Sequence, residues 1–461
     1  MSEPGTGLVD DARRIAALAW PVLVGQLAVL GFSTVDTVLV GRYSSTDLAA
    51  FAVGASAYIT VFIGLMGVVL AIGPIVGQLY GARRLVEAGQ QLHQCVWLAL
   101  GLSVIGSALL AFPYPFLALA RASPDVADKI RGYLLALAFS LPAALLFTVF
   151  RGFNIAVSRP KAVMVLQLGG LALKIPLSSA LVFGVPALGI PALGVTGCGV
   201  ATLIAMWLQL GAAVLLLGRD PFYQRFDLQR HRLARPHRKS LAALLRLGIP
   251  MGLTILIEVT AFSFMAIFIA RLGTTTVAGH QIAANLVSVM FMLPLALSSA
   301  TSTLVAQRIG ADALEAARRI GWHGLQIALG LSVLLGSAVF ATRHGIVGLY
   351  TQDAAVIAAA VPLLTWVALF HVGDALQTMS QFVLRAWRVT VVSLVVFALS
   401  MWGVGLAGGY ALAFGLLGGA QGAGGFWLAS TVGLVLAGVA LTVFLAWMLR
   451  RQRRASVTPA A

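Results

Sequence analysis

The run VGQLYGA at residues 76–82 returns 229 positions later as VAQRIGA at 305–311. The same shift sets WPVLVG at 20–25 against IPMGLT at 249–254, and the GR of 41–42 against the AR of 270–271. Farther on, SPDVA at 123–127 meets TQDAA at 351–355, one residue out of register. The chain is an internal duplication.

The duplicated unit is apolar. Of 461 residues, 60% are hydrophobic and 10% charged, a balance that suits a polytopic membrane protein rather than a soluble one. Leu48 to Ala82 holds no charge at all. Hydropathy divides the chain into about twelve spans, centred near residues 25, 62, 103, 141, 173, 204, 258, 290, 332, 370, 403 and 437. The expectation is an all-α membrane protein with two six-helix lobes: residues 1–218, a basic linker at 219–240, and residues 241–461 with a basic tail. The first span is too long for a signal-peptide core and lacks a small-residue cleavage pattern, so it is read as a retained helix.

The net charge of +16 is explained by its placement. With the N-terminus inside, the cytoplasmic segments carry 24 of the 31 Lys and Arg, the outer loops carry 6, and Lys174 falls within a span. That bias places both termini in the cytoplasm. The basic run RDPFYQRFDLQRHRLARPHRKS at 219–240 is read as an orientation anchor beside anionic headgroups; no stacking motif points to nucleic acid. Cys95 and Cys198 both lie in spans and suggest neither a disulfide framework nor a metal site.

A six-span unit returns to the side on which it started, so both halves share one orientation. This is the parallel-repeat plan of one group of secondary transporters, with the substrate path between the halves. A duplicated scaffold without transport is the plain alternative. Pro21, Pro176, Pro250 and Pro362 fall in spans and can bend them.

Four charges remain inside the spans: Asp36, Lys174, Glu258 and Asp374. A charge in hydrocarbon costs roughly 2.5 to 3.5 kcal/mol even on permissive insertion scales, so each should face a cavity or a partner. Counted from the nearest cytoplasmic basic residue at about 1.5 Å per residue, Glu258, Asp374 and Lys174 lie roughly 16 to 20 Å in, and Asp36 roughly 33 Å along its helix. A buried carboxylate that takes up a cation or proton can couple its occupancy to the side the cavity faces. A salt bridge or hydrogen-bond anchor between helices is the alternative role.

VDTVLVGRYSSTDLAAFAVG at 35–54, GPIVGQLYGA at 73–82, RGFNIAVSRPKAVM at 151–164, GVTGCGVAT at 194–202, AGHQIAAN at 278–285 and GDALQ at 373–377 together resemble the multidrug and toxic compound extrusion (MATE) transporters of the NorM-like branch. The likeness runs from about residue 12 to residue 450. It implies an antiporter that expels organic cations in exchange for protons, or sodium ions, from two six-helix lobes around a cleft. It also implies a monomer in a bacterial inner membrane, without cofactor. Asp36, Glu258 and Asp374 match the family's cation-coupling carboxylates, with Glu258 and Asp374 the place for sodium if sodium is the ion. Thr202 matches a hydroxyl near the N-lobe cation site; Gln281 and Asn285 match polar positions that line the cavity or pack helices.

Two departures matter. Lys174 and Ser178 stand where the family commonly has Asn. Lys174 is expected either to pair with Asp36 as a tethered counter-ion, which moves coupling toward protonation of Glu258 and Asp374, or to exchange a proton itself. In LRAWRVTVVSL at 384–394, Ala386 stands for a usual Gly and the usual Pro is missing. The rival transport function is a flippase for lipid-linked sugars, disfavoured because three of the four buried charges are acids. An enzyme is disfavoured because the seven histidines (His93, His231, His237, His280, His323, His344, His371) are scattered without an HExxH or GxSxG pattern.

Overall fold

A computed structural model describes residues 7–114, 116–117, 123–228, 233–416 and 418–457. Among them are twelve helices long and apolar enough to cross a membrane: α1 (Leu8–Tyr43), α2 (Ser45–Gly81), α3 (Leu85–Ala111), α4 (Pro124–Ala156), α5 (Pro160–Phe183), α6 (Gly194–Arg219), α7 (Arg238–Ala270), α8 (Thr274–Gly310), α9 (Leu314–Tyr350), α10 (Ala354–Ala386), α11 (Val391–Ala413) and α12 (Gly422–Gln452). Each expected span centre lies within its own helix.

Local chemistry accounts for the irregularities. α2 breaks between Val69 and Ile72, just before Pro74, which cannot donate to the ladder. α11 winds as a π-helix from Leu399 to Gly408, a stretch containing Gly403, Gly405 and Gly408. At Gly433 of α12 a Cβ would stand 2.6 Å from the Ser400 carbonyl, so only glycine lets α12 press against this wide segment.

The duplication recurs in the backbone. α2 ends with Arg83 in the left-handed region (φ 60°) and α8 with Asp312 (φ 57°). The Arg84 amide donates to the Leu79 carbonyl at 2.9 Å, and at the equivalent place in the second repeat the Ala313 amide donates to the Arg308 carbonyl at the same distance. α4 and α10 end alike, with Ser158 at φ 61° and Arg388 at φ 59°. These closures satisfy the last carbonyls of each helix. The α10 end therefore keeps the geometry of its counterpart without the usual Gly or Pro, because the left-handed position falls on Arg388, beyond Ala386.

The chain packs as two compact units, one spanning Val24–Gly252, the other formed by the described residues up to Leu23 together with those from Leu253 onward. The boundaries fall inside α1 and α7, at equivalent positions of the two repeats and each shortly after a proline, Pro21 and Pro250. In the Val24–Gly252 unit the core gathers Phe153, Tyr223, Phe226 and Leu134. In the other unit it gathers Phe370, Phe397, Phe426 and Trp427.

Part of the basic connection after α6 is packed rather than free. Asp220 caps a short 3-10 helix, Pro221–Phe226, whose Tyr223 is buried and donates to Asn154 Oδ1 at 2.5 Å. Burial pushes the Tyr223 hydroxyl up to about 12, so it stays a donor. Gln94 of α3 then holds the His237 amide at 2.7 Å and the Arg235 carbonyl at 2.9 Å. Residues 229–232 of the basic run lie outside the described residues.

Candidate functional site

In the Val24–Gly252 unit, three helices each bring two side chains one turn apart to a common point: Phe32 and Asp36 from α1, Lys174 and Ser178 from α5, Cys198 and Thr202 from α6. Their close approach is built on small residues. A Cβ at Gly197 of α6 would lie 2.3 Å from the Leu181 carbonyl of α5. Lys174 is 1% exposed, and its Nζ lies 2.8 Å from Asp36 Oδ2. The ammonium also donates to Thr202 Oγ1 and lies 5.3 Å from the centre of the Phe32 ring. Thr202 Oγ1 in turn donates to the Cys198 carbonyl at 3.0 Å, and Ser178 Oγ donates to Asp36 Oδ1 at 3.4 Å. The carboxylate is thus neutralised from within the protein, and the ammonium has oxygen partners and an aromatic face in place of water.

Counting from cytoplasmic basic residues set Asp36 well beyond Lys174, and the structure shows why that ruler fails. α1 has 36 residues and α5 has 24, and Arg14 already lies inside α1. Measured back from the opposite ends, Asp36 stands about two turns before Tyr43 and Lys174 about two and a half turns before Phe183. At about 1.5 Å per residue these depths agree to roughly 3 Å, within a lysine's reach.

In the other unit, Asp374 of α10 is 4% exposed and accepts from Thr378 Oγ1 at 3.4 Å; the same hydroxyl is 3.1 Å from Gln377 Oε1. Glu258 of α7 is half-buried and lies within electrostatic range of Asp374 and of Arg385. Among the described residues neither acid forms an ion pair, in contrast to Asp36. The surrounding hydroxyl and amide oxygens are hard donors that suit a proton or a sodium ion alike. His280 and His371 are buried, His280 with its ring 5.8 Å from that of Trp427. Gln281 and Asn285 of α8 are not packed away in the same manner: Gln281 is exposed, Asn285 Oδ1 accepts from Tyr350 at 2.8 Å, and among the described residues no hydrogen bond joins either residue to Glu258 or Asp374. No group of three or more His, Cys, Asp or Glu among the described residues could hold a metal ion.

Two helical cations escaped the reading of the sequence. Arg151 of α4 donates to Gln26 Oε1 at 3.4 Å and to Met66 Sδ at 3.6 Å. Arg385 of α10 is 4% exposed, with its guanidinium 4.5 Å from the centre of the Phe382 ring. Both sit close enough to span ends to be counted as loop charges, and only the observed helix ends, Ala156 and Ala386, place them inside. The four charges expected in spans are therefore not the whole set.

The MatE family model matches residues 21–179 and again residues 250–411, two segments that begin at equivalent points of the two repeats. A probable multidrug resistance protein NorM of Aromatoleum aromaticum is 43% identical over 95% of this chain and 94% of its own length. The multidrug resistance protein PmpM of Pseudomonas aeruginosa is 34% identical over 97% of this chain and 94% of its own length. Among solved structures, the Vibrio cholerae MATE transporter VcmN in its bent form superposes with a TM-score of 0.85 over 97% of this chain and 99% of that one, at 21% identity. The eukaryotic MATE transporter AtDTX14 superposes with a TM-score of 0.86 over 98% of this chain and all of that one, at 20% identity. The chain belongs to the MATE family of membrane transporters, on its NorM-like branch.

Proposed function

We infer that this protein is a secondary active multidrug efflux antiporter that expels cationic, amphipathic organic compounds by alternating access, in exchange for protons or sodium ions, with Lys174 beside Asp36 favouring protons. The observation that carries this reading is the contrast between its buried acids. Asp36 already holds a cation, Lys174, at 2.8 Å, while among the described residues Asp374 accepts only from a hydroxyl and Glu258 has no salt-bridge partner. A carboxylate without a fixed counter-ion is costly as an anion in an apolar site, so it binds a proton or a cation readily. Glu258 and Asp374 are accordingly the coupling pair. Asp36 with Lys174, Ser178 and Thr202 is the modulating site, and Gln281 and Asn285 are candidates for the substrate path.

In the cycle, external protons load the two acids in the outward state, the organic cation leaves, and the loaded protein returns inward. One charge moving inward supplies about 2.3 kcal/mol per 100 mV. Both termini lie in the cytoplasm, the membrane is the bacterial inner membrane, and the protein works as a monomer without cofactor.

A lipid-linked flippase is the second reading, and Arg151 and Arg385 favour it, since they add two buried or half-buried cations to Lys174 among the helical charges. Their position argues against it. Arg151 lies close to the end of α4 and Arg385 next to the end of α10, whereas Glu258 and Asp374 lie deep within their helices.

Ethidium efflux from proteoliposomes under separately imposed proton and sodium gradients, for wild type and E258Q, tests the proposal. Efflux driven by a proton gradient alone and lost in E258Q supports it. Efflux that needs sodium replaces the ion, and the absence of gradient-driven efflux leaves the flippase.

A further inference from the structure

Asp374 begins a polar stripe that runs to the end of its helix. Asp374, Thr378, Gln381 and Arg385 follow one another in α10 at intervals of four, three and four residues, so they share one face, and each is at most 5% exposed. The three turns from Asp374 to Arg385 cover about 16 Å, one half of a hydrocarbon layer about 30 Å thick.

Two members of the stripe point to a path rather than to packing. Gln381 Nε2 is buried without a hydrogen-bond partner among the described residues. An amide donor left so is costly unless water meets it. Arg385 closes the stripe, with its guanidinium 4.5 Å from the centre of the Phe382 ring and within electrostatic range of Glu258.

On the other side of the acids the surroundings are mostly aromatic. Phe262, one turn beyond Glu258 in α7, meets Phe370, one turn before Asp374 in α10, edge to face with ring centres 5.7 Å apart. Phe370 meets Trp427 in the same manner at 5.7 Å, and His371 is buried beside it. The first repeat lacks the stripe. Aligning α4 and α10 by their left-handed residues, Ser158 and Arg388, sets Ala144 against Asp374 and Ile155 against Arg385. The stripe therefore accompanies the acids and is not a demand of the fold.

Resting on the antiporter reading, we propose that this face of α10 is the path by which the coupling ion leaves Glu258 and Asp374 for the cytoplasm, with water held at Gln381 and Arg385 as the residue that promotes release. A fixed cation at the exit keeps other cations scarce there, so an ion that has left does not readily return. It also gives Glu258 a neighbouring positive charge once the ion has gone.

The test places one cysteine at Gln381 in a protein whose Cys95 and Cys198 are replaced, and follows its reaction with membrane-impermeant methanethiosulfonates of opposite charge and similar size. Inside-out membrane vesicles present the cytoplasmic face and spheroplasts the outer face. This readout needs no transport, so its failure is separate from failure of the antiporter reading, which the efflux assay decides.

Q381C should react from the cytoplasmic face, the anionic reagent about tenfold faster than the cationic one. R385Q should bring the two rates close together, and R385K should keep them apart. Reaction from the outer face alone, or from neither face, overturns the proposal, as does a charge preference that R385Q leaves unchanged. Should R385Q fail to fold, the preference of Q381C decides alone: equal rates, or a faster cationic reagent, overturn the role of Arg385.

Discussion

Lys174 Nζ stands 2.8 Å from Asp36 Oδ2, joining α5 to α1, and both side chains are removed from water. Burying two charges is expensive, and their attraction offsets the cost only while both are present. D36N or K174M alone should each destabilise the protein by about 3–5 kcal/mol, since each leaves one charge buried and unpaired. The double variant D36N/K174M should recover most of that loss. Thermal unfolding in detergent checks it, and additive losses in the double variant would show that the two groups do not act as a pair.

The hydroxyls around this pair are unequal. Thr202 accepts directly from Lys174, whereas Ser178 reaches Asp36 at 3.4 Å, the long limit for such a bond. T202V should therefore cost about 1–3 kcal/mol and S178A under about 1 kcal/mol in the same unfolding assay. A larger effect at Ser178 than at Thr202 would reverse this ranking.

Close helix approach makes a sharper prediction in α6. A Cβ at Gly197 meets the Leu181 carbonyl at 2.3 Å, whereas Gly211 of the same helix has nothing within 4 Å. G197A should lower the melting temperature, with a cost of about 1–3 kcal/mol for forcing α5 and α6 apart. G211A should be neutral or stabilising by up to about 1 kcal/mol, because alanine loses less chain entropy in a helix.

Outside the membrane-spanning helices, Asp220 couples a loop to pH. The Phe222 amide, donating at 2.8 Å, and then the Arg159 guanidinium at 2.6 Å hold its carboxyl below the usual carboxylate range. A depressed value means that the stability is fully present above the unfolded carboxylate's pKa, about 3.9, and is lost as pH falls through the lower folded value. The difference in stability between wild type and D220N should be about 1 kcal/mol near neutral pH, reduced by solvent at this partly exposed pair, and should disappear once the pH has fallen through the lowered folded value. A gap that persists at low pH would assign the effect to something other than this carboxylate.

The residues themselves determined the twelve spans, the duplication and the presence of buried acids, because hydropathy, repetition and the cost of a charge in hydrocarbon are properties of a local stretch. The meeting of Asp36 with Lys174 was also legible as a need for a counter-charge. Its geometry was not. Which atoms meet depends on how long each helix runs beyond the apolar layer, and counting from Arg14 misplaced Asp36 because α1 has 36 residues and α5 only 24. The same ignorance of helix ends left Arg151 and Arg385 outside the spans. Tertiary packing brought Phe32 to the ammonium, set the contact of Thr202 with it, and left Asp374, among the described residues, with only a hydroxyl donor. Those contacts join helices far apart in sequence, and a side chain's partner there is set by how neighbouring helices pack, which no single stretch of the chain encodes.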